Sequence, residues 1–330
     1  MPTALEFLQS QIYVKVPLPS KKFTGQIVIV TGSNTGLGLE AARHLVRLDA
    51  AKVILAVRNL SSGNDAAASI EKSTGRKGVV EVWELDLASY SNVKQFSKRA
   101  NGLSRLDVLI CNAGVAMFDY IRAEQDDMNV TVNVVSTFLL GILLLPKLKD
   151  TSVKLEKETV LTFTGSLGHS AAEFPERKSE RIFNDLAREE GARMMDRYNA
   201  ISLPTYPFVH QTDVILTIRY NVTKLISLLL ARELANTVTE KRGEVIVSTL
   251  NPGLVDTQIL KHAGYWRGIL LRLIFKGIAR TPEEGSRTLV LAAEGGRETH
   301  GQYLDDGKVG RQVDRPSSYR APPGSFLLYL

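Results

Sequence analysis

Short, almost wholly apolar runs alternate with longer segments of helical period along most of this chain. Residues 26–31 read Gln26-Ile27-Val28-Ile29-Val30-Thr31, too short for a helix and rich in β-branched side chains, as a strand covered on both faces requires. The same character returns at residues 52–57, 79–85, 107–111, 159–164 and 244–249. A helical period follows the first run over residues 39–46, and long apolar helices are predicted over 130–145 and 220–235. Strand and helix in this alternation predict an α/β protein with a doubly wound parallel sheet. No internal repeat or low-complexity linker interrupts it, so a single domain is expected.

The ends of the predicted strands carry small and polar residues. After the first comes Thr31-Gly32-Ser33-Asn34-Thr35-Gly36-Leu37-Gly38, opening directly into a helix. Strand, glycine-rich turn and helix N-terminus in that order let bare backbone approach a pyrophosphate, which makes the sheet Rossmann-type. Folds of this kind that take NAD place an acid about 20 residues past the glycines, whereas Val57 and Arg58 stand there. Arg58 suits a 2′-phosphate, hence NADP(H); the plainer alternative is a surface arginine at a strand end. The third strand ends in Asp86-Leu87 and the fourth in Asn112-Ala113-Gly114, at the sheet edge where the adenine side of a dinucleotide would lie.

One pair of residues adds chemistry. Tyr220 and Lys224 stand four apart at the head of a predicted helix, so they share a face, where an ammonium can favour phenolate and bring the phenol toward use as an acid and base. Tyr198 and Tyr206 have no such partner, because Ser202 and His210 occupy the matching positions. By itself the spacing is common on solvated helix faces.

Composition narrows the class further. The chain has 330 residues, 44% of them hydrophobic and 23% charged, and its net charge of +6 is spread without a basic block. This argues against a nucleic-acid arm and fits mild anion preference. A single cysteine, Cys111, excludes an internal disulfide, and the five histidines have no metal-ligand spacing, so no metal and a reducing, cytoplasmic compartment are expected. Residues 1–22 lack the order of a signal peptide and read as an arm packed on the domain. The apolar run 130–145 is interrupted by Thr131, Asn133, Ser136 and Thr137 and followed by Pro146, which favours a buried helix over a membrane span. The closing Phe326-Leu327-Leu328-Tyr329-Leu330 is too short to span a bilayer.

Taken in order, these residues resemble the short-chain dehydrogenase/reductase family, and within it the retinol-dehydrogenase-like branch that includes many fungal pathway reductases. The match runs from about Phe23 to Asp306. Thr31-Gly32-x-x-x-Gly36-x-Gly38 resembles the family's cofactor turn and Cys111-Asn112-Ala113-Gly114 its Asn-Asn-Ala-Gly motif with the first Asn replaced. Asn251-Pro252-Gly253-Leu254-Val255-Asp256-Thr257 resembles its Pro-Gly motif. The resemblance implies four catalytic residues, Asn133, Ser166, Tyr220 and Lys224. Tyr220 would protonate the developing alkoxide, Ser166 would hold the substrate oxygen, Lys224 would bind the nicotinamide ribose and lower the tyrosine pKa, and Asn133 would hold a water between Lys224 and solvent. It further implies cofactor contacts from Gly32, Gly36, Leu37, Gly38, Arg58, Asp86, Asn112, Tyr220, Lys224, Val255 and Thr257, and a homodimer paired through long helices. Leu37, Val255, Asn133 and Ser166 also admit purely structural roles.

Two stretches depart from the pattern. Ser166 and Tyr220 are 54 positions apart, more than the family's usual short loop, so an insertion is expected at about 167–219. It contains Phe183-Asn184-Asp185-Leu186, similar to the branch's Phe-Asp-Asp-Leu element, then Met194, Met195, Tyr198, Tyr206, Phe208 and His210. Such a stretch forms either a wall for an apolar substrate or a surface excursion with its own small core. Residues 258–280 are amphipathic and aromatic, expected as a substrate lid, with a membrane-surface helix as the alternative. The domain is expected over 23–306, with 307–330 as a tail. These readings converge on an NADP(H)-dependent oxidoreductase acting on a carbonyl or alcohol of an apolar small molecule. A non-catalytic cofactor-binding protein and a non-redox reaction on the same scaffold remain the alternatives.

Overall fold

The computed structural model describes residues 4–172, 174–187, 218–238, 244–257, 259 and 277–310. The apolar runs become strands β1 (Ile27–Thr31), β2 (Lys52–Val57), β3 (Val80–Glu84), β4 (Val108–Cys111), β7 (Thr159–Thr164) and β8 (Val245–Asn251). A two-stranded ribbon, β5 (Arg122–Ala123) and β6 (Asp126–Asp127), lies apart from them. With β9 (Tyr303–Asp305) and β10 (Lys308–Val309) they form an eight-stranded sheet ordered β10-β9-β8-β7-β4-β1-β2-β3. Every pairing from β3 to β9 is parallel, and β10 alone runs antiparallel. Strand order reverses direction between β1 and β4, the place where open α/β sheets leave a crevice for ligand.

Parallel strands buried on both faces need helices on both faces. One side is covered by the central helix, Met128–Leu155, and by the helix Ile218–Val238, which share a core with Leu109, Leu161 and Val247. The other is covered by Gly36–Arg47 and Pro282–Glu294, packed on Val28, Leu55 and Ile110. Phe138 of the central helix stacks on Phe163 of β7 with centroids 4.4 Å apart. Gly141, one turn further along, admits this approach, since a Cβ there would sit 3.3 Å from the Phe163 ring.

The fold departs from expectation in two places. The central helix does not end before Pro146, as its apolar run predicts, but continues to Leu155, and its residues Thr131–Ser136 are wound as a π-helix. At 28 residues it is long and apolar enough to cross a membrane by composition alone, yet 67% of its apolar window is buried inside the protein, the mark of a core helix. The last two strands were also missed, because three and two residues carry too little periodicity to register.

The N-terminal segment forms the helix Ala4–Tyr13 and docks on the Pro-Gly loop. Gln11 is buried, and its Oε1 accepts from the Leu254 N–H at 2.8 Å. Arg280 is buried beside it, donating to the carbonyls of Ser10 and Val14 and pairing with Asp306 at 2.6 Å. Ser10 Oγ donates to the other Asp306 oxygen at 2.6 Å. Val255 and Arg280 form a parallel bridge, so both ends of the 258–276 stretch emerge from one clamped base.

Candidate active site

Tyr220 is the third residue of its helix and Lys224 lies one turn further, with the ammonium 5.5 Å from the phenol ring centre. Lys224 is buried, and its Nζ donates to the Thr164 carbonyl at 2.7 Å. The end of β7 then turns at Gly165 and presents Ser166, whose hydroxyl stands close enough to the Tyr220 phenol to favour its ionised form. Ser166 Oγ also accepts from the Gly168 N–H at 3.1 Å, which fixes its rotamer.

Asn133 completes the group from the π-wound part of the central helix. Its Oδ1 accepts from the Val115 N–H and its Nδ2 donates to the Val115 carbonyl, both at 2.8 Å. Nδ2 also reaches Thr223 Oγ1 at 3.2 Å. A Cβ on Gly114 would lie 3.2 Å from Asn133 Oδ1 and 3.8 Å from Lys224 Nζ, so the loop after β4 touches both. The four residues the sequence singled out thus meet at the C-terminal ends of β4 and β7.

Burial dominates their protonation. The Tyr220 phenol is pushed up to about 12 by desolvation, only partly offset by the nearby Ser166 hydroxyl. Burial pulls the Lys224 ammonium down to about 8. Desolvation of the phenolate outweighs the influence that favours it, so the phenol lies above its ordinary value. Near neutral pH the pair is a neutral phenol and a largely charged ammonium.

The glycine turn sits across the crevice. Gly32 and Gly36 have φ of 65° and 57°, in the left-handed region, and a Cβ on Gly38 would come within 2.4 Å of the Gly32 carbonyl oxygen. Thr35 makes no side-chain cap to the helix it precedes, so its hydroxyl leaves the first amides of Gly36–Arg47 uncapped. Asn112 Nδ2 donates to the carbonyls of Thr31 and Gly32, at 2.9 and 3.3 Å. Thr31 Oγ1 accepts from the N–H groups of Asn112 and Ala113.

Thr257 faces this turn, with its methyl 3.6 Å from where a Gly36 Cβ would stand. Leu37 and Val255 both press on Gly285, whose added Cβ would lie 2.9 Å from Leu37 Cδ2 and 2.5 Å from Val255 Cγ2. Asp86 uses one oxygen to accept from the Ala88 N–H at 2.9 Å. Arg58 is exposed at the end of β2. Asn34 of the glycine turn donates to Ser62 at 3.1 Å, joining the turn to the helix that follows Arg58. A diphosphate at the bare turn and a phosphate near Arg58 fit this donor set.

Sequence reasoning missed Thr31, Thr223, Asn251 and Arg219. Asn251 Oδ1 accepts from Leu167 N–H and Gly253 N–H, linking the Ser166 turn to the Pro-Gly loop. Thr223 lies inside the Tyr-Lys motif itself, but only the folded helix shows its hydroxyl reaching Asn133. Met194, Met195, Tyr198, Tyr206, Phe208 and His210, most of the 258–280 stretch and the last twenty residues lie outside the described residues. Among the described residues no cluster of three metal-ligating side chains occurs.

The family model for short chain dehydrogenases matches residues 26–157. The short-chain dehydrogenase anuD of Penicillium roqueforti is 37% identical over 318 residues, spanning 95% of this chain and 77% of that protein. The chain belongs to the short-chain dehydrogenase family. The short chain dehydrogenase atnD of Emericella nidulans is 39% identical over 304 residues, covering 91% of this chain and 90% of its own. Among solved structures, the oxidoreductase yciK from Escherichia coli superposes with a TM-score of 0.60 at 22% identity, over 87% of this chain and 98% of that one. As a short-chain dehydrogenase the protein is by family an oxidoreductase with a Rossmann-type fold.

Proposed function

We propose that this short-chain dehydrogenase interconverts a ketone or aldehyde and the corresponding alcohol on an apolar small molecule with NADP(H). The observation carrying the reading is that Ser166 stands close enough to Tyr220 to act on its phenol, with Lys224 one turn behind it. An insertion that pushed Ser166 away from Tyr220 would favour a binding module, and their proximity supports the catalytic reading instead.

A nicotinamide cofactor, when bound, would supply or accept the hydride. In this reading the turn of Gly32, Gly36 and Gly38 holds its diphosphate and Arg58 its 2′-phosphate. Asp86 and Asn112 line the adenine side, Leu37, Val255 and Thr257 the nicotinamide side, and Lys224 takes the nicotinamide ribose. Arg58 is the support for NADP(H) over NAD(H), since no acid occupies the end of β2. A short chain dehydrogenase from Shigella flexneri solved in complex with NADP shares the fold with a TM-score of 0.58 at 20% identity.

Ser166 Oγ hydrogen-bonds the substrate oxygen, and Tyr220 Oη delivers its proton there as negative charge builds. A phenol at about 12 is fully protonated near neutrality, which favours the reducing direction. The Lys224 ammonium stabilises the phenolate left behind, and Asn133 keeps the loop at Val115 closed against the lysine. The aromatic and methionine content of the insertion and of 258–280 supports an apolar substrate, and the resemblance to fungal pathway reductases supports one from secondary metabolism.

Screening carbonyl compounds for NADPH oxidation by the purified protein tests the reading. Turnover that disappears in Tyr220→Phe supports it. Failure to bind NADPH, or full turnover in Tyr220→Phe, refutes it.

A further inference from the structure

Tyr220 stands in the first turn of its helix, the turn in which four backbone N–H groups lack intrahelical partners and where helices fray. The chain returns to this helix directly from the long insertion. A proton donor placed there needs an external hold.

Arg219, the residue just before it, is 1% exposed and among the largest fully buried side chains. Its Nε lies 3.5 Å from Asp127 Oδ2 and its Nη1 3.4 Å from Glu176 Oε1. Asp127 is itself fully buried and caps the central helix, its Oδ1 accepting from the Asn129 N–H at 2.9 Å. Glu176 belongs to the 3-10 turn Pro175–Lys178, on the segment that leaves Ser166. One guanidinium therefore joins the helix that carries Tyr220, the cap of the helix that carries Asn133, and a 3-10 turn ten residues downstream of Ser166.

Stability alone is a weak reason for such a cluster. Taking a cation and two carboxylates out of water costs several kcal/mol per ion, which Coulomb attraction returns only with excellent geometry. Here the contacts are long, and Arg219 Nε and Nη2, Asp127 Oδ2 and Glu176 Oε2 are all buried without a hydrogen-bond partner. Asp126 adds a further buried carboxyl next to Asp127. Burial raises both aspartates despite the nearby arginine.

We infer that Arg219 is a positioning residue: through Asp127 and Glu176 it holds the first turn of the Tyr220 helix in register with Asn133 and Ser166. It acts through the backbone, since neighbouring residues point about 100° apart around a helix. The inference rests on the proposed oxidoreductase reading for its kinetic consequence but not for its structural one.

The test uses the full-length protein labelled at tyrosine Cζ with carbon-13, the Tyr220 signal being assigned by its loss in Tyr220→Phe. In Arg219→Met the signal is expected to shift and broaden, and in Arg219→Lys to recover part-way. NADPH affinity should stay within about threefold, while turnover falls about 10- to 100-fold, as displacement of a reacting group by about an ångström produces. A Tyr220 signal unchanged in folded Arg219→Met overturns the inference, as does turnover lost only in proportion to cofactor affinity. Should Arg219→Met not fold, Asp127→Asn, which keeps the helix cap, and Glu176→Gln are read the same way. Unchanged signals in both also overturn it. A wild type that reduces no carbonyl removes the oxidoreductase reading, and the tyrosine signal still decides the role of Arg219.

Discussion

Asn133 grips the backbone of Val115 with both ends of its carboxamide, accepting from the N–H and donating to the carbonyl at 2.8 Å each. The π-wound turn that carries Asn133 is thereby fastened to the loop after β4, beside Lys224. Replacing Asn133 with Ala leaves both Val115 groups unpaired in a part-buried site, a loss of about 1–3 kcal/mol. Thermal melting is expected to drop by several degrees, with turnover reduced as well. An Asn133→Ala variant that melts with the wild type would sink this account.

Tyr220→Phe removes the transferable proton and keeps the ring. Turnover is expected to fall by at least about a hundredfold while NADPH binding changes little. Fluorescence titration of NADPH beside steady-state rates measures both.

The rate of carbonyl reduction should follow Lys224. The ammonium is present below its value of about 8 and is lost as pH rises through it, whereas the Tyr220 phenol stays protonated to about 12. Reduction is therefore expected to hold level from about pH 6 to 7 and to decline above about 8. A rate that rises steadily through pH 9 contradicts the assignment.

The same burial makes Lys224 costly to the fold. A lysine held at about 8 instead of its ordinary 10.5 represents roughly 3 kcal/mol of disfavoured charge at neutral pH. The unfolded chain binds the proton more tightly, so this penalty fades as pH rises from about 8 toward 10.5. Lys224→Met is expected to be inactive at pH 7 and yet to melt a few degrees above the wild type. Melting curves across that pH range, without cofactor, check the direction.

Arg58→Ala should lose preference for NADPH over NADH, chiefly by weakening NADPH. Competitive titration of the two cofactors measures the ratio. An unchanged ratio would assign the preference elsewhere.

Much of this was legible beforehand because each signal was local. The buried strands announced themselves as β-branched runs, and the turn at Gly32, Gly36 and Gly38 carried its mechanism in its spacing. The Tyr220–Lys224 pair was readable, but its protonation was not, since burial depends on what the fold packs around it. Arg219 escaped notice for a related reason: its partners, Asp127 and Glu176, are 92 and 43 positions away. The end of the central helix was misplaced because Pro146, a usual terminator, sits inside it at a partly exposed turn.

The contact between Ser10 and Asp306 joins residues 296 positions apart. Closing so long a loop carries a large entropic cost, so the N-terminal helix is expected to dock after the sheet has formed. The base from which residues 258–276 emerge then acquires its final shape only at that late step. Hydrogen exchange during refolding should show protection at Leu254 and Arg280 lagging behind β1 and β4. A bulky fusion at the first residues would then slow the final shaping of the base at Leu254 and Arg280 without touching Tyr220 or Lys224.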